Sequence, residues 1–207
     1  FNGRPLALGW VAENCPTLLE CWFPGSEAGN AVADVLSGDV NPGAKLPVSF
    51  PRNVGQCPIY YNHKNTGRPA GLRDSYVSTY VDVDNSPQYP FGFGLSYTTF
   101  KIDGVTVAAD HSVSATVTNT GAREGDEVVQ LYIRDKVSSV TRPVRELRGF
   151  QRISLKPGAS QTVKFPLGDK ELGFYDRAMR WTVEPGEFEI FVGNSSQAPK
   201  ATSFYLK

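Results

Sequence analysis

The chain has 207 residues, enough for one large or two modest domains with a real core. Its 21 basic and 21 acidic residues balance and are scattered, which excludes the electrostatic footprint of a nucleic-acid binder and a polybasic membrane patch. No apolar run approaches the roughly 20 residues that cross a bilayer.

Cys15, Cys21 and Cys57 lack metal-ligand spacing and lie far from His63 and His111, so no zinc or other metal site is expected; separately, no cofactor is expected. Each cysteine sits among apolar or proline neighbours and reads as a small buried hydrophobe; a Cys15–Cys21 bridge is the alternative.

Taken in order, Phe1 to Pro5 reads as the end of a strand and its turn, a hint that the sequence is the downstream portion of something longer. Pro5–Leu8 and Thr17–Phe23 are short, nearly continuous apolar runs, the pattern of parallel strands covered on both faces. A helix should follow, capped by Ser26, with Glu27 in its first turn and Gly38 as its stop. Ala28, Ala31, Val32, Val35 and Leu36 give that helix one apolar face. Asp39–Gly43 is turn chemistry, and Lys45–Pro51 reads as an edge strand because Pro47 would break an interior ladder.

From Asn62 to Gln88 the periodicity fades into a polar, tyrosine-containing stretch (Tyr76, Tyr80), and so long a loop is more often functional or a crossing between domains than idle. Tyr89–Phe100, YPFGFGLSYTTF, then gathers five aromatics: Tyr89, Phe91, Phe93, Tyr97 and Phe100. Such a segment should pack as a clamp between two domains. An aromatic strand end inside one domain is the other reading.

Beyond Phe100 the pattern changes to strict alternation. Val113, Ala115 and Val117 alternate with Ser114, Thr116 and Thr118, and Val129, Leu131 and Ile133 with Gln130, Tyr132 and Arg134. Phe188, Ile190 and Val192 repeat it. With turn signals between and further strands near Ile102–Val107, Gly149–Leu155, Gln161–Phe165 and Thr202–Leu206, about seven short strands fit an immunoglobulin-like or fibronectin type III-like sandwich. The arginines 142, 145 and 148, interrupted by Glu146, fit one edge of a solvated strand. Asp82 and Asp84, at alternate positions in a polar stretch, would suit a weak cation site but are expected to be solvated, and neither histidine has a nucleophilic partner.

Three stretches carry a resemblance to the C-terminal part of family 3 glycoside hydrolases, the β-glucosidase group: NGRPLAL at 2–8, CWFPGSEAGNAVADVLSGDVNPGAKLPVSFP at 21–51 and YPFGFGLSYTTF at 89–100. The segments TNTGAREGDEVVQLYIRD at 118–135 and RPVRELRGFQRISLKPG at 142–158 resemble that family's fibronectin type III-like domain. The fold so implied is an incomplete C-terminal half of an α/β domain, residues 1–61, then a loop and aromatic junction, 62–100, then an all-β sandwich, 101–207.

Retaining enzymes of this kind use one carboxylate as nucleophile and another as acid/base, about 5 Å apart. The resemblance places the nucleophile as an Asp beside a Trp, yet Trp10, Trp22 and Trp181 follow Gly9, Cys21 and Arg180. Both carboxylates are therefore expected upstream of Phe1, with no catalytic residue in this chain. The resemblance implies as partners a missing N-terminal barrel, the first half of the α/β domain and a β-glucoside or oligosaccharide substrate, and a periplasmic or secreted setting. No nucleic-acid or membrane partner is expected.

Arg4, Trp22 and Glu27, at turns after strands, are the candidate substrate contacts, Trp22 by stacking and the others by bonding hydroxyls. Trp22 in the core, and Arg4 and Glu27 as surface charges or caps, is the plainer alternative. For the chain as a whole, the competing function is a non-enzymatic module that binds carbohydrate or protein, or serves as a spacer.

Overall fold

The computed structural model describes residues 1–69 and 77–207. Tyr76, one of the loop tyrosines, lies outside the described residues.

The first hundred residues form an α/β segment with little regular ladder. Pro5–Leu8 is not a paired strand: Leu8 enters a short helix, α1 (Gly9–Asn14), and its carbonyl accepts the Ala12 amide at 3.0 Å. The spacing of Leu8, Val11 and Ala12 was a helical signal that begins at the last residue of the apolar run and continues past it.

Helix α2 (Ala28–Ser37) ends as expected on Gly38, in the left-handed conformation at φ 84° that a side chain would resist. Its start differs from the expectation. Glu27, not Ser26, stands at the N-cap, no side chain caps the helix, and the Ala28 amide closes a turn on the Gly25 carbonyl at 3.1 Å. None of the residues of α2 is buried.

Leu46–Phe50 runs antiparallel to Tyr89–Phe93, joined by Leu46 N to Phe93 O (2.8 Å), Gly92 N to Leu46 O (2.7 Å) and Phe50 N to Tyr89 O (2.8 Å). The predicted edge segment thus folds onto the aromatic stretch itself.

The remainder is a sandwich. Strands β1 (Phe100–Val107), β2 (Val113–Asn119) and β5 (Ser160–Phe165) make one sheet in the order β1-β2-β5. Strands β3 (Gly125–Asp135), β4 (Glu146–Leu155), β8 (Gly186–Gly193) and β9 (Lys200–Leu206) make the other, ordered β4-β3-β8-β9. All these pairings are antiparallel. A two-rung hairpin, β6 (Phe174–Tyr175) and β7 (Trp181–Thr182), follows a single helical turn, α3 (Asp169–Leu172).

The alternation places Val113, Ala115 and Val117 of β2 against Val129, Leu131 and Ile133 of β3, and Phe188, Ile190 and Val192 of β8 close the same core. The seven predicted strands are all present. Where β3 departs from alternation, the cause lies outside the sandwich: Gln130 and Tyr132, expected to face solvent, are 3% and 0% exposed because the aromatic stretch covers them.

That cover is specific. Tyr61 stacks on Phe91 with centroids 4.5 Å apart and meets Tyr132 edge-on at 5.6 Å. Gln130 Nε2 donates to the Gly92 carbonyl at 3.1 Å, and the Tyr132 hydroxyl donates to Gln130 Oε1. Of the other aromatics, Tyr89 and Phe93 stack on each other at 5.4 Å, and the Tyr97 hydroxyl reaches the Val35 carbonyl of α2 at 2.6 Å. Beside them Lys45 Nζ pairs with Glu127 Oε1 at 2.8 Å, the two side chains only 10% and 4% exposed.

The arginine cluster is likewise not a solvated edge. Arg142 holds Glu146 at 2.5 Å and lies over the Phe174 ring at 4.5 Å, Arg148 reaches the other oxygen of Glu146 at 3.1 Å, and Arg145 sits 3.9 Å above Phe191. Planar guanidinium groups can be buried against aromatic faces in a way that ammonium groups cannot, so the run of arginines works as packing.

Candidate functional site

The chemistry-bearing residues of the first section gather at one edge. The Phe1 amino group donates to the Leu19 carbonyl at 2.7 Å, the Cys21 amide to the Phe1 carbonyl at 2.8 Å, and the Gly3 amide to the Trp22 carbonyl at 2.9 Å. These are the slanted bonds of a parallel pair, so the turns that follow Gly3 and Trp22 leave from the same, carboxyl-terminal end. It is at such ends that open α/β sheets bind ligands.

The three candidate contacts differ in what they present there. Arg4 is exposed. Glu27 is also exposed, and its carboxylate accepts from Asn30 Nδ2 at 2.6 Å. Trp22 is half-buried, its ring edge-on to Phe50 at 6.0 Å, and its amide donates to Glu20 Oε1 at 2.9 Å. Trp22 has φ 53°, a left-handed conformation rare for a bulky residue and a mark of local constraint. The hydrogen bond between Gly3 and Trp22 brings the turns of Arg4 and Trp22 together; Glu27 follows on the way into α2.

Two further residues belong to this edge. Phe23, directly after the left-handed Trp22, is 86% exposed, and Glu20 Oε2 is buried without a partner among the described residues. The adjacent aromatics Trp22 and Phe23 were the only sequence signal, and only the backbone turn at Trp22 separates an inward ring from an outward one.

Below this edge an apolar groove of about 720 Å³ runs between the Thr17–Trp22 stretch, α2 and the aromatic segment, lined among others by Leu8, Leu18, Val35, Phe50 and Phe93. The carboxylates that line it are Glu13, which is exposed, and Glu20. The cysteines are unpaired, Cys15 and Cys21 half-buried. Cys57 is exposed, against the expectation of burial, because it leaves a 3-10 turn (Val54–Gln56) of which only Gln56 is buried.

The loop after Tyr61 is anchored on the sandwich. The Val144 amide donates to the His63 carbonyl at 2.9 Å, and Lys64 bridges to Pro143. At its far end Gln56 Nε2 donates to the Asp84 carbonyl at 2.7 Å, and Arg52 Nε to the Ser86 carbonyl at 3.0 Å. The Asp84 carboxylate accepts from the Ser86 side chain and amide, and its pKa is thereby held below the usual value.

An α/β segment clasped to a fibronectin type III-like sandwich is the closing architecture of one class of glycoside-cleaving enzyme. Residues 1–97 match the glycosyl hydrolase family 3 C-terminal domain, and residues 127–196 match the fibronectin type III-like domain. The chain corresponds to the C-terminal portion of a family 3 glycoside hydrolase.

It is 50% identical over 215 residues to a periplasmic beta-glucosidase of Salmonella typhimurium, a match that covers 100% of this chain and 28% of the relative. It is also 50% identical to a beta-xylosidase of Formosa agariphila, over 96% of this chain and 28% of the relative. Among solved structures, a β-glucosidase of Listeria innocua in complex with isofagomine superposes with a TM-score of 0.88 at 41% identity, covering 100% of this chain and 30% of that one. A β-glucosidase of Erythrobacter marinus gives 0.91 at 45%, covering 100% and 27%. The chain thus spans less than a third of the length of the relatives it matches.

Proposed function

We propose that this chain works as the C-terminal part of a retaining β-glucosidase-type hydrolase that releases terminal β-linked glucose or a related sugar. The nucleophile and acid/base are supplied by residues outside it. In this division residues 1–61 complete an α/β domain, 62–100 join it to the sandwich, and 101–207 form the sandwich.

The supporting observation is the match, at 50% identity over 100% and 96% of the chain, to proteins named as a β-glucosidase and a β-xylosidase. Arg4 and Trp22, at one carboxyl-terminal edge with Glu27 nearby, would contact the sugar or hold the residues that do. The loop anchored at Lys64 and Ser86 would wall the substrate entrance. The periplasm or the exterior is the proposed setting, from the name of the Salmonella relative.

The experiment compares this polypeptide alone with the same polypeptide joined to an upstream barrel and first α/β half, on aryl β-glucoside and aryl β-xyloside. No turnover alone and activity when joined is the expected result. Turnover by residues 1–207 in the absence of any other enzyme overturns the placement of the carboxylates.

A further inference from the structure

The hairpin β6–β7 takes no part in the site above, yet it carries two exposed aromatics braced by its own turn. Tyr175 and Trp181 sit opposite each other across it, centroids 5.1 Å apart and planes at 76°, and remain 57% and 47% exposed. Its turn is locked by Asp176, whose carboxylate accepts from the Ala178 amide (2.8 Å), the Arg180 amide (2.9 Å) and the Arg180 guanidinium (2.8 Å).

The indole lies so close on the backbone of Gly173 that a Cβ there would stand 2.5 Å from it, and its Nε1 donates to the Asp169 carbonyl at 3.2 Å. Exposed Asp169, Lys170 and Arg177 belong to the same helical turn and hairpin.

Two large rings held in a fixed geometry, with charged groups on neighbouring backbone, match an amphipathic ligand: an apolar ring face with a hydroxyl rim. The surface is small beside the ~800 Å² per partner that a stable protein interface buries, which favours a single sugar ring over a protein. Its position points the same way. Phe174 of the hairpin carries Arg142, and the next residue, Pro143, bridges to Lys64 of the loop proposed above as the entrance wall.

From this geometry we propose that Tyr175 and Trp181 form a secondary sugar-binding platform, which stacks a distal pyranose of a β-1,4-linked oligosaccharide whose terminal sugar occupies the catalytic pocket. This role rests on the proposed glycosidase function, but the binding itself does not.

The test uses Tyr175→Ala and Trp181→Ala in the complete enzyme. Calorimetric titration with cellopentaose and xylopentaose should show saturable binding of one of them by the parent, weakened roughly three- to tenfold in each variant, the range of one aromatic contact. The KM for that pentasaccharide should rise by a similar factor, while kcat and the KM for an aryl glycoside stay within about twofold. Should Trp181→Ala fail to fold, Tyr175→Ala and Trp181→Phe carry the test.

No binding of either pentasaccharide, or variants that bind as the parent does, overturns the platform. Equal losses on the pentasaccharide and the aryl glycoside overturn it too, because they mark a structural defect. An enzyme that cleaves no glycoside yet binds a pentasaccharide through these rings sinks the glycosidase reading and leaves the platform standing.

Discussion

Lys45 and Glu127 show how much of this molecule rests on single side chains at the contact between its two parts. The ammonium lies against the Glu127 carboxylate and also donates to the Gly94 carbonyl at 2.8 Å, while Glu127 Oε1 takes the Val128 amide at 2.8 Å. Both charges are almost fully removed from water, so what matters is the cost of leaving one unpaired. Lys45→Met should cost about 3–5 kcal/mol in urea unfolding, whereas Lys45→Met combined with Glu127→Leu should recover a large part of that loss. A single variant as stable as the parent would show that Glu127 is solvated after all. In the sequence Lys45 was legible only as part of an edge segment, since its partner lies 82 positions away and nothing local announces it.

At the scale of elements, the sandwich was readable and the α/β segment only partly so, for one physical reason. Strands such as β2 take their pattern from a core that lies within reach of their own sheet partners, and Val113, Ala115 and Val117 declare it by alternation. The Pro5–Leu8 run takes no partner in a ladder, so its apolarity did not say whether it was strand or helix. Gln130 and Tyr132 broke the alternation because a second body lies on β3, information that strand periodicity cannot hold. The candidate site was legible to the level of turns; that Trp22 faces inward and Phe23 outward depends on a single left-handed residue.

The junction itself permits a direct test at Gly92. Its φ is 81°, and an added Cβ would stand 2.0 Å from Gln130 Oε1. Gly92→Ala should therefore cost about 2–4 kcal/mol through backbone strain and the lost Gln130 hydrogen bond. In a double-mutant cycle with Gln130→Ala the two losses should be clearly non-additive, measured by chemical denaturation. Simple additivity would mean that strain alone is at work.

For the whole molecule the decisive feature is asymmetry of burial. The sandwich owns a closed core of fifteen buried side chains, whereas α2 has none, with Leu36 65% exposed beside the apolar groove. Apolar surface of this kind drives association. The isolated chain should self-associate in sedimentation velocity and take up a hydrophobic dye, and both properties should fall away when the upstream segment is supplied in cis. A monomer that ignores the dye would mean that the α/β segment covers its own groove.

Strand β3 has no free side: one row of its side chains makes the sandwich core, and the other is the seat of Phe91 and Tyr61. A chimera that borrows its sandwich from a relative must accordingly import the outward row of β3 together with the residues that sit on it, whereas β1 and β9 can be exchanged without that pairing. Replacing Gln130 and Tyr132 alone would unseat Phe91 and Tyr61 and leave contacts such as the Lys45–Glu127 pair to hold the two halves in register.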